Sequence, residues 1–589
     1  MNPASGEKQP ADQSSAASTG LRHQLGTLLR STLRSRAGKA ILWLAAGILL
    51  VIIATAYGQV RLNQWNKPFY DALSRRDVGD FLYQLGVFLL IAGALLTLGV
   101  AQRWLVETLK MRLRDGLVRD LLDHWMRPRR AFWLANSSIG VNPDQRMHED
   151  ARKLCDLTAD LGTGLLQASI LFVTFAGVLW GMSADFTIRF SGVDYAVPGF
   201  MLWAAIVYAA LGSVFTLWVG RSLVDRNADR YAREADLRFS LVRVNEHLDG
   251  ISLAGGEADE QRRVELRFGE VLASTVRLIA GLTNLTWVTA GFGWITIVAP
   301  ILVAAPLYFG GKISFGGLMM AAAAFTQAQG SLRWFVDNFS VLADWRATLL
   351  RVASFRDALT APDAERQFAE RIDYQTTQSG CFEIERLRVS SMSGDEGLAE
   401  SAVTVQQGER VLIVGVHSTE RTLLFRALAG LWPWGSGRVA WPEGRSVFFL
   451  PGGTPYLPRG TLREALAYPA KVADFDASRY AHALKRLGLA RLIPALDEAR
   501  RWDHELGFDE QLTLSFARIL LQQPPWVLID GTLCALDDEA QEKVIEVLDS
   551  DLAGTGIIHI GRTVLTRSAT PPRVLHIEGA PADDEVTTP

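Results

Sequence analysis

Residues 415 to 422 have the spacing of a loop that binds phosphate groups. They read Gly-Val-His-Ser-Thr-Glu-Arg-Thr, whereas a working loop reads Gly-x-x-x-x-Gly-Lys-Ser/Thr and holds phosphates with backbone N–H groups and the lysine. Gly415 and Thr422 are retained, but Glu420 replaces the second glycine and Arg421 replaces the lysine. A carboxylate about 5 Å from a phosphate repels it by about 3 kcal/mol at an effective dielectric constant of about 20, roughly a hundredfold in affinity. The predicted, altered phosphate loop comprises Gly415, Ser418, Glu420, Arg421, Thr422 and Leu423.

The composition indicates a membrane protein of more than one domain. The chain has 589 residues, 49% of them hydrophobic, and a mean hydropathy of +0.13. It is too long for one soluble core. The net charge of −3 gives no bias toward nucleic acid, so no nucleic-acid partner is expected. The three cysteines are widely spaced and match neither a zinc nor a disulfide pattern.

Six apolar stretches are predicted to cross a bilayer as helices, because their lengths approach or exceed those needed for a span. Residues 1–20 and 580–589 are polar and are expected to be disordered tails. The first is not expected to be a secretory signal, because the first apolar run begins only near Ala40. The predicted spans are residues 40–57, 81–101, 165–182, 197–219, 278–309, and a helix from 313 toward 350.

Basic residues predict the orientation of these spans. They are dense before the first span and after the second, and sparse in residues 183–198 and 310–313. The positive-inside rule therefore predicts that the N-terminus and the loops at 103–164 and 220–277 are cytoplasmic. Four basic residues of the first outer loop argue against this orientation: Arg61, Lys67, Arg75 and Arg76.

The last third of the chain is predicted to be an α/β domain with a largely parallel sheet, because short apolar strands alternate with helical stretches. The predicted strands are residues 411–414, 447–450, 527–529 and 557–560, and the predicted helices are 422–431, 478–487 and 510–521. The predicted domains are a tail at 1–20, a membrane domain at 21–355, a linker at 356–379, a nucleotide-binding domain at 380–579 and a tail at 580–589.

Four motifs carry a family resemblance over nearly the whole chain. The segment Trp-Asn-Lys-Pro-Phe-Tyr-Asp-Ala-Leu at 65–73 and Asn-Pro-Asp-Gln-Arg at 142–146, closed by Asp150, resemble SbmA/BacA-like membrane domains. The peroxisomal acyl-CoA half-transporters of ABC subfamily D are similar there. The segment at 428–437, Leu-Ala-Gly-Leu-Trp-Pro-Trp-Gly-Ser-Gly, and the segment at 455–463, from Pro455 to Arg463, resemble parts of their nucleotide-binding domains.

The resemblance implies a half-transporter with an ABC exporter-type domain of six transmembrane helices, followed by a P-loop NTPase-like ABC nucleotide-binding domain. It implies a homodimer or heterodimer in the bacterial inner membrane, with ATP and Mg as cofactors. It also implies a substrate among peptides, peptide-like antibiotics, corrinoids or acyl-CoAs. Some relatives lack the nucleotide-binding domain and use the proton gradient instead. The implied coupling residues are Asn142, Pro143, Asp144, Gln145 and Glu246.

Compared with this family, the ATP-handling motifs of the chain are altered. The Q-loop glutamine position is Gly452, the acid pair is Asp530-Gly531, and the switch histidine position is Arg562. The signature, usually Leu-Ser-x-Gly-Glu, is altered at Gly507 and Asp509 and keeps Glu510. No aromatic residue is found near Ser391, where one would stack on adenine.

Three functional interpretations remain open. A transporter whose α/β domain is a pseudo-ATPase is favoured; the alternatives are a conventional ATP-driven transporter and a non-transporting regulatory subunit of a heterodimer. Thr422 and Asp530 could hold Mg, but Asp530 could equally be a structural hydrogen-bonding residue, and His559 is expected to be a packed strand residue. Candidate proton carriers, each more simply explained by an ion pair or solvation, are Glu234, Asp236, Glu246, Asp337 and Asp344. Polar candidates for a membrane cavity are Asn284, Gln327 and Gln329.

Overall fold

The computed structural model describes residues 26, 30, 37–135, 142–183, 187–190, 193–196, 198–360, 371–391, 394–415, 418–444, 447–561 and 571–578. The chain divides into two compact units, Met1–Pro362 and Asp363–Pro589. The first is helical apart from one short hairpin, and the second is built around a sheet.

The first unit contains long helices joined by short turns. Strands β1 (Thr187–Phe190) and β2 (Val193–Ala196) pair as an antiparallel hairpin between the helices Pro143–Met182 and Phe200–Glu246. The first of these two helices includes a π-helical turn at Arg146–Asp150. The helices are α1 (Gly38–Arg75), α2 (Val78–Trp125), α3 (Arg130–Ala135), α4 (Pro143–Met182), α5 (Phe200–Glu246), α6 (Leu248–Ala254), α7 (Glu257–Phe309), α8 (Phe315–Asp337) and α9 (Phe339–Thr360).

A two-residue turn connects α1 and α2 because both helix ends are capped locally. Arg76 adopts a left-handed conformation with φ 59°, and its N–H donates to the carbonyl oxygens of Ala72 and Leu73. The Asp77 carboxylate then accepts the free N–H groups of Gly79 and Asp80 at 3.0 and 3.1 Å. The two helices consequently run antiparallel as a hairpin.

Five of the described helices are long and apolar enough to cross a membrane: α1, α2, α4, α5 and α7. Helix α8 is less apolar, yet it is the most enclosed, since it packs against α1, α4, α5 and α7. Its buried face consists mainly of small residues such as Gly316, Ala321, Ala324 and Ala328. Small side chains allow helix backbones to approach closely in a membrane.

The helix predicted to continue from residue 313 toward residue 350 is interrupted at Asn338. Its Nδ2 atom and its backbone N–H both donate to the carbonyl oxygen of Trp334, at 2.8 and 3.0 Å. The side chain thus competes with the backbone for one carbonyl group, which favours a helix end. The prediction of one continuous helix was wrong, and α9 begins anew at Phe339.

In the second unit, ten of the described strands form one sheet in the order β3-β8-β4-β5-β14-β7-β13-β12-β9, with β6 also paired to β4. Strands β14, β7, β13, β12 and β9 are mutually parallel neighbours. A separate two-residue pair joins β10 to β11. The strands are β3 (Asp373–Thr377), β4 (Phe382–Ser391), β5 (Gly394–Leu398), β6 (Ala402–Val405), β7 (Arg410–Val414), β8 (Gly435–Pro442), β9 (Val447–Leu450), β10 (Gly460–Thr461), β11 (Ala499–Arg500), β12 (Trp526–Asp530), β13 (Gly556–Ile560) and β14 (Arg573–Glu578).

The parallel strands are buried on both faces. In β12, Val527 and Ile529 belong to one apolar cluster and Leu528 to the other. Continuous apolar strands of this kind are typical of parallel sheets covered on both faces. The α-helices of this unit are α10 (Ser418–Leu428), α11 (Leu462–Ala467), α12 (Ala477–Arg486), α13 (Trp502–Glu505), α14 (Phe508–Gln522) and α15 (Asp538–Asp549).

The strands and helices predicted for this unit are present, with ends shifted by a few residues. The largest shift is in α10, which begins at Ser418 rather than Thr422 and ends at Leu428. The segment 356–379, predicted to be a linker, contains the end of α9 and all of β3. Strand β3 forms there because it adds to the edge of β8 in parallel register.

Candidate functional site

The candidate site lies where the parallel strands end. Gly415 follows β7, Asp530 ends β12 and Gly452 lies just beyond β9, so the three meet at the carboxyl edge of the sheet. Ligands of open α/β sheets bind at this edge. Thr422, in α10, donates from its hydroxyl to Asp530 Oδ2 at 3.3 Å. The fold thus brings together the phosphate-loop, Q-loop and acid-pair positions named from the sequence.

Asp530 is the one carboxylate among these described side chains, and it is only 6% exposed. Burial raises its pKa above the ordinary value, although the backbone N–H of Gly452, the Thr422 hydroxyl and the charges of Arg421 and Arg426 oppose the shift. A raised pKa weakens the carboxylate as a ligand for a divalent cation. Asp530 is therefore a buried carboxylate hydrogen-bonded to Thr422, an arrangement that both the Mg-ligand and the structural interpretation require.

Two glycines stand where side chains of an ATP site would be expected. A Cβ atom on Gly452 would lie 2.7 Å from the Asp530 carbonyl oxygen and 3.3 Å from its Oδ2 atom. The backbone therefore leaves no room for glutamine at this position. Gly531 has φ 59°, a conformation that favours glycine, and its N–H donates to the Ile560 carbonyl oxygen at 2.8 Å. Gly452 therefore has no room for a side chain, whereas a side chain at 531 would have space but would be strained by the left-handed backbone.

Arg421 is directed back onto its own loop. Its Nη1 atom lies 3.5 Å from the Gly415 carbonyl oxygen, at the limit of a hydrogen bond. A Cβ atom on Gly415 would lie 3.5 Å from Arg421 Cγ, which puts the arginine stem against the loop backbone. The lysine of a working loop instead extends toward phosphate oxygens.

Several residues named from the sequence lie elsewhere or outside the description. Arg562 lies outside the described residues, as do the side chains of Ser418 and Glu420, although Glu420 falls in the first turn of α10. Gly507, Asp509 and Glu510 lie at the start of α14, a separate element from the strand ends around Asp530. Glu510 accepts the Gly507 N–H at 3.2 Å and pairs with Arg491. The retained glutamate is therefore engaged within its own helix start.

Taken together, the described residues do not fit a complete site for ATP and Mg. Thr422 and Asp530 are the two positions suited to the cation, and each is engaged with the other. Within the part of the chain that the structure describes, no group of three or more His, Cys, Asp or Glu side chains could hold a metal ion. Without a carboxylate at 531, no described group is suited to position an attacking water.

His559 is fully enclosed in β13, as expected for a packed strand residue. It is 0% exposed, and neither ring nitrogen has a hydrogen-bond partner among the described residues. Burial, together with a smaller effect of the charge of Arg421, lowers its pKa to about 4. The imidazole is therefore neutral at physiological pH and acts as a packed side chain.

Stability of the second unit is expected to fall as the pH falls below about 6.5. Since the folded-state pKa of His559 lies below its ordinary value, the unfolded chain binds the proton first, and about 2 kcal/mol is lost by pH 5. The measurement is the pH dependence of thermal unfolding of this unit within the full chain, with His559→Leu predicted to remove this component. His482→Gln, at a histidine whose side chain is 60% exposed, is the matched control. Equal pH dependence in wild type and His559→Leu would contradict the prediction.

The Asn-Pro-Asp-Gln-Arg segment of the first unit forms the start of α4. Asn142 adopts a left-handed conformation with φ 55°, and Pro143 occupies the first helical position. The following π-helical turn places Asp150 against two arginines: its carboxylate accepts from Arg351 Nε and Nη2 at 3.1 and 2.8 Å, and from Arg146 Nη1 at 2.6 Å. The motif thus anchors α4 to α9.

Removing this anchor is expected to be costly. Asp150→Ala leaves two partly exposed guanidinium groups without their buried carboxylate and should lower the free energy of unfolding by about 2 kcal/mol, because charge-assisted hydrogen bonds are lost. Unfolding in mixed micelles measures this change. Asp115→Ala, which removes an exposed pair with Arg119 on α2, is the control and should have little effect. Similar losses in both variants would contradict a special role for Asp150.

The Trp65 to Leu73 segment acquires a structural role that sequence reasoning missed. Asp71 accepts from the Ser314 hydroxyl and the Gly316 N–H, both at 2.9 Å, and so caps the start of α8. The ring of Trp65 stacks on that of Phe69 with their centroids 4.4 Å apart, and the indole N–H of Trp65 donates to the Gln84 carbonyl oxygen at 2.8 Å. In the sequence, the aspartate within this motif was the available signal for the cap. Its hydrogen-bond partner Gly316 lies 245 residues away, so the pairing was not evident from the sequence.

Sequence reasoning also missed Arg518, which is 5% exposed in α14. Its Nε and Nη1 atoms donate to the carbonyl oxygens of Ala465 and Tyr456 at 2.6 and 2.9 Å. Burial lowers the pKa of the guanidinium to about 10. Arg518 thus connects α14 to the segment after β9 by hydrogen bonds. In the sequence, the available signal for its burial was an arginine on an otherwise apolar helix face.

Three candidate proton carriers are engaged in ion pairs, as the simpler interpretation expected. Asp344 lies 2.7 Å from Lys153, Asp337 lies 3.3 Å from Arg333, and Asp236 lies 4.0 Å from Arg233. Glu234 and Glu246 are exposed on α5, Asn284 and Gln327 are exposed, and Gln329 is buried in α8.

Comparison with known proteins agrees with this architecture. Residues 28–309 match the ABC transporter transmembrane region 2 family. The inner membrane ABC transporter ATP-binding protein YddA of Escherichia coli is 25% identical over 87% of this chain and 90% of its own length. ABC transporter D family member 2, chloroplastic, of Arabidopsis thaliana is 26% identical over 89% and 81%. The lysosomal cobalamin transporter ABCD4 of Homo sapiens is 24% identical over 81% and 82%.

These findings support an ABC half-transporter. The five apolar helices and the matched transmembrane region indicate a multi-pass membrane protein. The helical first unit and the sheet-rich second unit are consistent with an ABC exporter followed by a nucleotide-binding domain. The name of the Escherichia coli relative YddA includes ATP binding, so ATP and Mg are a family expectation, to be weighed against the altered site described above.

Proposed function

We propose that the chain is an ABC-type membrane transporter whose α/β unit is a pseudo-ATPase. The observation that carries the proposal is that two side chains are missing from the candidate site at the ends of the parallel strands. Gly452 has no space for a side chain, and Gly531 supplies no carboxylate. An ATP-driven half-transporter needs both positions to sense and hydrolyse nucleotide. In this chain the unit serves as a scaffold that holds the membrane helices in a dimer.

The proposed membrane domain has six crossings, with α8 as the sixth. Its 23 residues span about 35 Å as a helix, longer than a hydrocarbon core of about 30 Å. Its enclosure by four apolar helices supports this assignment, because a helix shielded from lipid need not be apolar on every face. The second unit is proposed to have the P-loop type of fold, which its parallel strand order supports.

The proposed setting is the bacterial inner membrane, with the N-terminus and the α/β unit in the cytoplasm. Basic residues around the first two spans support this orientation. We infer a homodimer or a heterodimer with another half-transporter, since Phe239, Leu253 and Leu266 on the α5–α6–α7 hairpin are exposed apolar side chains outside the spans. The membrane domain is SbmA/BacA-like in its motifs, which favours peptides, peptide-like antibiotics, corrinoids or related amphipathic solutes.

Flux in proteoliposomes tests the proposal. Radiolabelled cobalamin, chosen because one relative is named a cobalamin transporter, and a fluorescent peptide serve as probes. Each is followed with an imposed proton gradient and, separately, with Mg-ATP on the side of the α/β unit. Flux that follows the gradient and ignores ATP is the expected result. ATP-dependent flux would overturn the pseudo-ATPase assignment, and absence of flux together with co-purification of an intact half-transporter would favour a regulatory subunit.

A further inference from the structure

Helix α1 carries polar residues at every fourth position in its second half: Thr55, Gln59, Asn63, Lys67 and Asp71. Residues four apart lie above one another on a helix. Two members of this row contact α8, since Asp71 caps its start and Asn63 Nδ2 donates to the Met320 carbonyl oxygen at 3.0 Å. We call this row and the α8 surface opposite it the α1–α8 seam.

Three oxygen atoms of the seam are buried without a hydrogen-bond partner among the described residues. They are Thr55 Oγ1, Gln59 Oε1 and Asn63 Oδ1. Thr55 is 8% exposed and Asn63 is 4% exposed. A buried acceptor without a partner costs about 1–3 kcal/mol, and more is at stake in a membrane, where lipid supplies no donor. Three such atoms on one helix face indicate an occupant that donates hydrogen bonds.

The ordinary way to satisfy a threonine hydroxyl inside a helix is not used at Thr55. Thr97, Thr174 and Thr326 each donate to the carbonyl oxygen one turn earlier, at 2.9, 2.7 and 3.0 Å. The Thr55 hydroxyl makes no such bond within the described residues. It is therefore available to a partner outside its own helix.

Helix α8 contributes small apolar side chains to the packing beside this part of α1. Ala321, Ala324 and Ala328 of α8 pack in one apolar cluster with Ala56, the neighbour of Thr55. Alanine supplies no donor, and its small side chain buries little apolar area, so a local separation of the two helices loses little hydrophobic stabilisation. The α1–α8 seam thus combines unsatisfied hydrogen-bond acceptors on α1 with an α8 surface whose apolar packing contributes little stabilisation.

We propose that the α1–α8 seam takes up water, which donates hydrogen bonds to Thr55, Gln59 and Asn63. Residues four apart on a helix are about 6 Å apart along its axis. A single water molecule bridges two oxygen atoms about 5.6 Å apart, since each O–H···O bond measures about 2.8 Å. The rise of the helix over four residues is thus close to the span that one bridging water molecule covers. The proposal goes beyond the transporter assignment and does not depend on its energy source.

Cysteine accessibility in membrane vesicles tests the proposal. The full chain, with its native cysteines replaced by alanine, carries Thr55→Cys or Gln59→Cys and is treated from either side with a charged, membrane-impermeant methanethiosulfonate. Ile52→Cys is the buried apolar control on the same helix, and Leu50→Cys, at a residue 71% exposed on the lipid-facing side, is the exposed control. Because the reagent attacks the hydrated thiolate, labelling at 55 and 59 is expected to be about tenfold or more faster than at both controls. Rates at 55 and 59 no faster than at 52 would overturn the proposal.

An isosteric variant provides a test that does not require cysteine. If the seam is dry, Thr55→Val removes a buried oxygen without a partner and should raise the melting temperature of the membrane unit. If water bridges the seam, the same change removes a satisfied hydrogen bond, and the melting temperature should stay equal or fall. A clear rise would overturn the proposal. Thr174→Val, at a threonine bonded within its own helix, is the matched control.

Discussion

Titration of the lipid-reconstituted chain with Mg-ATP is expected to show no saturable binding up to about 1 mM. Glu420 stands in the first turn of α10, where the sequence of a working loop requires glycine and where a carboxylate repels phosphate. Arg421 is turned back toward the Gly415 carbonyl oxygen, and Asp530 is buried with a raised pKa. Calorimetry measures the binding, and phosphate release measures the expected absence of turnover.

The charge contribution of this prediction can be isolated with one substitution. Glu420→Gln removes the carboxylate and is expected to improve ATP affinity about a hundredfold, since the repulsion it relieves amounts to about 3 kcal/mol. Glu542→Gln, an exposed carboxylate on α15, changes the net charge equally and is the control. Glutamine at 452 is not expected to help, because the Asp530 carbonyl oxygen blocks its Cβ atom. Micromolar binding by the wild-type chain would contradict the charge argument.

Gly316→Ala is expected to destabilise the membrane unit by about 3 kcal/mol, because the added methyl group cannot be accommodated. A Cβ atom at Gly316 would clash with the Lys67 carbonyl oxygen and lie 2.8 Å from Asp71 Oδ1. Helix α8 would have to move away from α1, which would also break the Asp71 cap at its start. Unfolding in mixed micelles, followed by tryptophan fluorescence, measures the loss.

Helix α8 offers a matched control for this variant. A Cβ atom at Gly330 meets nothing within 4 Å. Gly330→Ala in the same helix should therefore leave stability unchanged or raise it by up to about 1 kcal/mol, as expected from helix propensity. If both alanine variants unfold alike, close packing of α8 on α1 is not the cause of the effect at 316.

The elements of the second unit were largely predictable from local pattern. The parallel strands were identified because apolar runs such as residues 447–450 and 557–560 are bounded by glycine, proline and polar residues. Helix ends were less accurate: α10 starts four residues early, since a helix can begin inside an altered phosphate loop. The break at Asn338 was missed, because it depends on a side chain that competes for one carbonyl group.

The sequence also located the candidate site but not its state. Spacing identified Gly415 and Thr422, the family resemblance identified Gly452 and Asp530, and the strand order then brought the four to one edge. The sequence could not reveal that Gly452 is closed in by the Asp530 carbonyl oxygen, since that contact joins residues far apart in the chain. Burial of Asp530 and His559, and hence the direction of each pKa shift, likewise depends on neighbours from several strands.

By itself, the sequence determined the class of this protein: apolar helices long enough to cross a bilayer, then alternating strands and helices with altered nucleotide motifs. These properties follow from periodicity and residue type, which act locally along the chain. Tertiary structure alone decided which distant residues meet. The Asp71 cap on α8, the Asp150 pairs with Arg351 and the unpartnered oxygens of the α1–α8 seam all arise between helices remote in sequence. Hydrogen bonding and burial at such contacts depend on packing, so no local pattern specifies them.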